Sequence, residues 1–136
     1  MTPSLQPAGT GWIEVITGCM FSGKTEELIR RIRRAQYARQ SVVVFKPGMD
    51  KRYSEDSVGS HSGQLLRSFQ IEKAAEIPAL VGGAQVVGID EGQFLGGELL
   101  GIADTLANEG RRVIVAGLDQ DYLGRPFEPM PQLLAI

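Results

Sequence analysis

The stretch GCMFSGKTEELIRRIRR, Gly18 to Arg34, decides the fold, because a glycine turn runs directly into a helical pattern. Its glycines at 18 and 23, followed by Lys24 and Thr25, have the G-x-x-x-x-G-K-[ST] spacing of a phosphate-binding P-loop. Glycines allow the backbone to wrap closely around a phosphate with its N–H groups pointing inward. The helix that follows directs the positive end of its dipole at the anion. We therefore expect a phosphate site here, with Lys24 on the β and γ phosphates and Thr25 on Mg²⁺.

Composition limits the classes of protein to consider. With 136 residues, 43% hydrophobic and 22% charged, the chain predicts one globular domain. The formal net charge of −2 provides no global basic field for nucleic acid, so anion binding must be local. Cys19 is the single cysteine, which excludes a disulfide or a cysteine-rich metal cluster within the chain and fits a cytoplasmic setting. Residues 1–11 predict a short disordered lead without signal-peptide character, and no apolar run is long enough for a membrane helix.

Apolar runs alternate with helical patterns along the chain. Buried strands are predicted at WIEVIT (12–17), SVVVFKP (41–47), AQVVGIDEGQF (84–94) and RRVIVAGL (111–118). Helices are predicted at TEELIRRIRRAQYARQ (25–40), IEKAAEIPALVGG (71–83) and GGELLGIADTLANEG (96–110). The polar segment 48–64 predicts a loop or mobile flap, with a short strand resuming at LLRSFQI. The pattern indicates an α/β fold whose parallel sheet has helices on both faces.

A second group of candidate residues is the pair Asp90 and Glu91 in VVGIDE. The pair follows a buried strand, at the edge of a parallel sheet where ligands gather. In P-loop proteins an aspartate at this position assists Mg²⁺. Side chains alternate along an extended chain, so we expect Glu91 to point away from Asp90 and to serve as a base. Such a pair is also a common capping or surface feature, but the P-loop upstream favours catalysis.

The final segment, AGLDQDYLGRPFEPMPQLLAI, carries Tyr122 and Phe127 with Arg125 between them. Aromatic side chains on a loop at the ligand edge can stack on a flat ring. Loop aromatics also commonly pack beneath their own loop, and residue type alone leaves both interpretations open.

Several motifs together resemble the type II thymidine kinases, the cytosolic enzymes of animals and many bacteria. The matching segments are GCMFSGKT, FKPGMDKRYSED, SHSG, IDEGQF and GLDQDYLGRPF, in family order. The resemblance implies a RecA-like P-loop NTPase fold over residues 12–136 and transfer of the ATP γ-phosphoryl group to the 5′-hydroxyl of thymidine, giving dTMP. It further implies Mg²⁺, self-association as a homotetramer, and no nucleic-acid or membrane partner. Tyr122 stands where the family commonly has phenylalanine, and Leu95 where an aromatic residue is common.

The resemblance also assigns roles to individual residues. Glu91 is the implied catalytic base, and Thr25 and Asp90 are the implied magnesium residues. The implied ATP and phosphate residues are Gly18, Met20, Phe21, Ser22, Gly23, Lys24, Thr25, Asp50 and Arg52. The implied thymidine pocket consists of Met20, Phe94, Leu118, Tyr122 and Phe127.

The family pattern continues beyond the last residue of this chain, Ile136. Family members carry a small zinc-bearing domain and a lasso loop whose backbone holds the base. We therefore interpret the chain as the N-terminal ATPase-like domain and expect zinc only in the missing C-terminal domain. Two alternatives stay open: a RecA-like ATPase or motor domain in which Glu91 activates water, and a non-catalytic ATP-binding module. The GLDQDYLGRPF and SHSG segments favour the kinase, because a motor domain does not need them.

Three further features have simpler interpretations. The RRIRR run predicts a solvated helix face or a subunit contact. His61 is interpreted as a loop hydrogen-bonding residue, because no second ligand lies at zinc spacing. Cys19 is interpreted as a bystander in the P-loop.

Overall fold

A computed structural model describes residues 11–18, 23–48, 66–118 and 130–135, together with the backbone of residues 53 and 54. Its elements are β1 (Trp12–Ile16), α1 (Lys24–Tyr37), β2 (Val42–Pro47), β3 (Tyr53–Ser54), β4 (Leu66–Ile71), α2 (Ile77–Leu80), β5 (Val86–Ile89), α3 (Glu98–Asn108), β6 (Arg112–Ala116) and α4 (Met130–Leu134). Two 3₁₀ turns lie at Ala74–Glu76 and Gly92–Phe94. Each predicted range contains an element of the predicted type, but two are shorter than predicted: the helix expected over 71–83 is the 3₁₀ turn Ala74–Glu76 followed by the four-residue α2, and the strand expected over 84–94 ends at Ile89.

One sheet organises the fold, with strand order β1-β6-β5-β2-β4-β3. The first five strands are parallel, and β3 pairs antiparallel with β4 at the edge. Val15 of β1 aligns with Val115 of β6, and Val113 of β6 aligns with Val87 of β5. One strand, β6, therefore separates the strand before the P-loop from the strand before the Asp-Glu pair. This topology confirms the predicted α/β class with a RecA-like parallel sheet.

Helices cover both faces of the sheet, as the alternating pattern predicts. On one face, Leu28, Ile32 and Ala35 form the buried stripe of α1 and pack against β-strand side chains that include Val86 and Ile114. This is helical spacing, in which every third or fourth residue faces the core. Burial of Leu28 and of Ile32 stabilises the fold by about 1.5–3 kcal/mol each.

The opposite face has a larger core. Leu99, Ala103 and Leu106 of α3 are buried there together with Met130 and Leu133 of α4. Helix α4 was not among the predicted elements, because five residues are too few to show a 3.6-residue period. Its Pro131 lies in the first turn, where proline is tolerated in a helix. The tail of the chain thus contributes to the core.

Other differences from the predictions are local. Helix α1 ends at Tyr37 rather than at Gln40, because Arg39 has a left-handed backbone with φ 63°. Strand β3 lies inside the segment predicted as a loop, most of which lies outside the described residues. Gly11, the last residue of the predicted lead, is buried and donates a hydrogen bond to the Ala107 carbonyl. Residues 1–10 lie outside the description, and their disorder stays a prediction. Among the described helices, none has the length and apolar character needed to cross a membrane.

Candidate functional site

The carboxyl ends of β1, β5 and β6 meet at one edge of the sheet, where the predicted phosphate residues begin. Gly23 precedes α1 with φ 85° and ψ 21°, a left-handed conformation that favours glycine. Its carbonyl accepts the hydrogen bond from the Glu27 N–H that opens the helix. Lys24 and Thr25 therefore occupy the first turn of α1, at the positive end of the helix dipole. Of the other predicted phosphate residues, Gly18 is described, whereas Met20, Phe21, Ser22, Asp50 and Arg52 lie outside the described residues.

Thr25 and Asp90 come together across the sheet edge. The Thr25 hydroxyl donates to Asp90 Oδ2 at 3.1 Å, although the two residues are 65 positions apart. The contact joins the first turn of α1 to the end of β5, above the intervening β6. A hydroxyl and a carboxylate oxygen are the hard ligands that Mg²⁺ takes beside a nucleotide. The donor set therefore fits the predicted metal.

Glu91 lies in a turn and not on an extended strand. Strand β5 ends at Ile89, and Glu91 has a left-handed backbone with φ 51° and ψ 44°. Its N–H donates to Asp90 Oδ1 at 2.9 Å, so Asp90 holds the turn while its other oxygen meets Thr25. The expectation of an extended chain at Glu91, on which the alternation of the two side chains rested, is therefore wrong. The turn itself sets the direction of Glu91.

The Glu91 side chain is exposed at a groove of about 530 Å³. Phe94 lines the same groove and is 59% exposed. The remaining lining residues are Pro47, Gly48, Ile71, Glu72 and Lys73. A carboxylate and an aromatic ring thus face one open space beside the end of β5, where a bound molecule can reach both.

The backbone of Glu91 gives a testable stability prediction. A side chain in the left-handed region costs about 1–2 kcal/mol relative to the right-handed region, and glycine avoids this cost. We expect Glu91→Gly to raise the free energy of unfolding by about 0.5–1 kcal/mol, measured by urea denaturation, and to lower kcat of the proposed phosphoryl transfer by at least about 10²-fold, because the proposed base is lost.

The matched control is Arg39→Gly, because Arg39 is also left-handed and exposed but lies at the far end of α1. It should stabilise the protein by a similar amount and leave activity unchanged. If Glu91→Gly destabilises the protein while Arg39→Gly stabilises it, the turn at Glu91 is not strained.

An ion cluster that the sequence analysis did not identify ties α1 to the sheet. Glu14 of β1 accepts hydrogen bonds from Trp12 Nε1 at 2.7 Å, Arg31 Nη1 at 3.0 Å and Arg112 Nη2 at 2.9 Å. Arg31 also donates to Glu27 Oε2 at 2.8 Å, in the first turn of α1. Arg31 therefore does not belong to a solvated arginine face, although Arg33 and Arg34 are exposed. The only signal for this cluster was an acid within the apolar run WIEVIT.

The cluster lowers the pKa of Glu14 below its usual 4.5. Burial acts to raise this pKa, but the hydrogen bonds from Arg112 and Trp12 and the charges of Arg112 and Arg31 outweigh it. Since the folded-state pKa lies below the unfolded one, the resulting stability is present above about pH 4.5. It is lost as the pH falls through the folded-state value.

We therefore expect Glu14→Gln to lower the free energy of unfolding by about 2 kcal/mol at pH 7, because the arginines lose their carboxylate. The difference from the parent should shrink as the pH falls below about 4.5. Denaturant titrations across the pH range measure both effects, with Glu98→Gln as a control for an exposed acid. If Glu14→Gln is less stable than the parent by the same amount at every pH, the charge of Glu14 is not the cause of the lost stability.

A family model described as thymidine kinase matches residues 11–136. The chain belongs to the thymidine kinase family. It is 63% identical over 126 residues to a thymidine kinase of Rhodothermus sp. (strain ITI 518), covering 93% of this chain and 59% of the relative. It is 58% identical over 127 residues to a thymidine kinase of Bdellovibrio bacteriovorus, covering 93% of this chain and 62% of the relative.

The chain thus spans about three fifths of the length of these curated relatives of the thymidine kinase family. Within the described residues, Thr25, Asp90 and Glu91 lie at one sheet edge, with Phe94 and Leu118 on the neighbouring turns. Tyr122 and Phe127 of the predicted thymidine pocket lie outside the described residues, as do Cys19 and His61. The roles assigned to individual residues remain predictions.

Proposed function

We propose that this chain is the ATP-binding catalytic domain of a thymidine kinase, which transfers the γ-phosphoryl group of ATP to the 5′-hydroxyl of thymidine. The observation that carries the proposal is the 3.1 Å contact between Thr25 and Asp90, with Glu91 directly after it. This contact joins the start of α1 to the residue before Glu91, which supports Thr25 and Asp90 as the proposed magnesium ligands and Glu91 as the proposed base. Family membership and the names of the two relatives support thymidine as the acceptor.

Binding of ATP rests on the first turn of α1. The Lys24 ammonium and the N-terminal N–H groups of the helix provide positive charge for the β and γ phosphates. Thr25 and Asp90 would hold Mg²⁺, which when bound neutralises charge between the phosphates. Phosphoryl transfer demands little covalent chemistry from a protein, so this alignment supplies much of the catalysis.

Glu91 acts as the general base in the proposed reaction. Its carboxylate takes the proton of the thymidine 5′-hydroxyl as that oxygen forms a bond to the γ-phosphorus. The bond from this phosphorus to the bridging oxygen breaks, and its electron pair leaves with ADP. The exposed position of Glu91 beside an open groove gives the hydroxyl access to the carboxylate. Phe94, in the same groove, would contact the nucleoside.

The test measures ADP release by the full-length protein with thymidine, with 5′-deoxythymidine and with single-stranded DNA. We expect ADP release and dTMP formation only with thymidine, because 5′-deoxythymidine lacks the attacking hydroxyl. Release that is stimulated by DNA, or that occurs with 5′-deoxythymidine, would indicate an ATPase in which Glu91 activates water. ATP binding without turnover under any condition would indicate a non-catalytic module.

We also infer that the full-length protein acts in the cytoplasm as a homotetramer, with zinc held outside this chain. These inferences rest on family membership. Mass measurement in solution and the zinc content of the full-length protein test them. A monomeric mass, or a protein without zinc, would contradict the corresponding inference.

A further inference from the structure

Gln93 joins two loops at the candidate site. It is 7% exposed and lies in the 3₁₀ turn Gly92–Phe94, directly after Glu91. Its Oε1 accepts a hydrogen bond from the N–H of Leu118 at 3.0 Å, 25 positions along the chain. Leu118 belongs to the loop that leaves β6 and is a predicted wall of the nucleoside pocket. One buried side chain thus connects the turn of the proposed base to the loop of the proposed pocket.

Gln93 lies in closely packed surroundings between the turn and the loop. A Cβ on Gly117 would lie 2.5 Å from Gln93 Oε1 and 3.1 Å from Met130 Sδ. A Cβ on Gly92 would lie 2.8 Å from Val115 Cγ1. Both glycines are buried; the absence of a side chain at Gly117 leaves room for Gln93 Oε1 beside the loop, and its absence at Gly92 leaves room for Val115 of β6 beside the turn.

The loop after β6 is also tied to the strand that leads into the P-loop. The Gly117 N–H donates to the Ile16 carbonyl at 3.0 Å, at the last residue of β1. The backbone therefore fixes the start of this loop relative to the phosphate site. Its next residue, Leu118, is held relative to the base by Gln93.

We propose that Gln93 is a positioning residue for the transfer reaction. Its side-chain oxygen holds Leu118 against the turn of Glu91, and thereby sets where the nucleoside lies relative to the base. This inference rests on the proposed function. Gln93 takes no part in the contact between Thr25 and Asp90, so we expect its loss to affect thymidine much more than ATP.

The test replaces Gln93 by methionine in the full-length protein, because methionine has similar length and no oxygen to accept the Leu118 N–H. Amide exchange at Leu118 should accelerate at least tenfold. At saturating ATP, kcat/KM for thymidine should fall about 30- to 100-fold, since a misplacement of about 1 Å costs that much in a transfer reaction. The KM for ATP should stay within twofold of the parent.

Gln85→Met is the matched control. Gln85 Oε1 accepts a hydrogen bond from the Ser41 N–H at 3.1 Å, also between two segments, but at the opposite end of the strands. This substitution should leave both kinetic constants within twofold. If Gln93→Met does not fold, Gln93→Asn is used, because its amide ends one methylene short of Leu118. We again expect a lower kcat/KM for thymidine and an unchanged KM for ATP.

The outcomes separate the two proposals. A parent protein without thymidine-dependent turnover overturns the proposed function itself. With an active parent, unchanged thymidine kinetics in the Gln93 variants overturns the positioning role, as does an equal loss for thymidine and ATP. Unchanged exchange at Leu118 overturns the link between the loops.

Discussion

Lys24→Ala is expected to weaken ATP binding about 100-fold or more and to lower turnover by a similar further factor. Lys24 begins α1 directly after Gly23, and it is the lysine of the G-x-x-x-x-G-K-[ST] spacing, which we expect to contact the β and γ phosphates. Removing one preorganised donor to developing negative charge typically costs about 10²–10³ in rate. Alanine is a good helix former, and Lys24 belongs to neither apolar core, so the fold should survive.

Equilibrium binding of ATP and steady-state turnover measure these effects. Lys46→Ala is the control, because Lys46 is an exposed lysine on β2 outside the proposed phosphate site. It should bind ATP like the parent. An unchanged ATP affinity in Lys24→Ala, with normal binding by the control, would remove the P-loop assignment from this turn.

Glu91→Gln is expected to lower kcat by about 10²–10⁴ while ATP and thymidine still bind. The amide has nearly the shape of the carboxylate but cannot accept the proton of the 5′-hydroxyl. The expected loss is the range typical of a positioned general base, and it corresponds to roughly 2–5 kcal/mol of transition-state stabilisation. The Glu91 N–H contact to Asp90 involves only the backbone of Glu91, so the substitution should leave the turn intact.

Binding titrations and single-turnover rates separate binding from chemistry. Glu98→Gln provides the control, because Glu98 is an exposed acid on α3 outside the groove of Glu91. Turnover of Glu91→Gln at the parent rate would show that another group takes the proton. Loss of Mg·ATP binding in Glu91→Gln would instead show that the roles of Asp90 and Glu91 are exchanged.

The two halves of the site differ in how far local sequence could predict them. Gly23, Lys24 and Thr25 are consecutive, so their spacing alone places them on one turn at a helix start. The turn at Glu91 is different, because an Asp-Glu pair after an apolar run does not predict a left-handed backbone at the glutamate. Asp90 stabilises that conformation by accepting the Glu91 N–H.

Contacts between residues that are far apart in the sequence could not be predicted from local patterns either. Gln93 and Leu118, or Glu14 and Arg112, come together because β6 pairs with both β1 and β5. Periodicity reports which face of an element is apolar, but it does not report strand order. The motif IDEGQF therefore predicts roles for Glu91 and Phe94, but it does not show that Gln93, which lies between them, is buried and contacts Leu118.

Local sequence was sufficient to predict the P-loop spacing, the alternation of buried strands with helices and the family to which the chain belongs. These depend on neighbouring residues, whose spacing dictates backbone shape and one apolar face. The tertiary structure decided that Thr25 meets Asp90, that Glu91 leaves the strand in a turn and that Gln93 joins that turn to Leu118. Each of these contacts depends on strands brought side by side in one particular order, which apolar cores on both faces of the sheet stabilise.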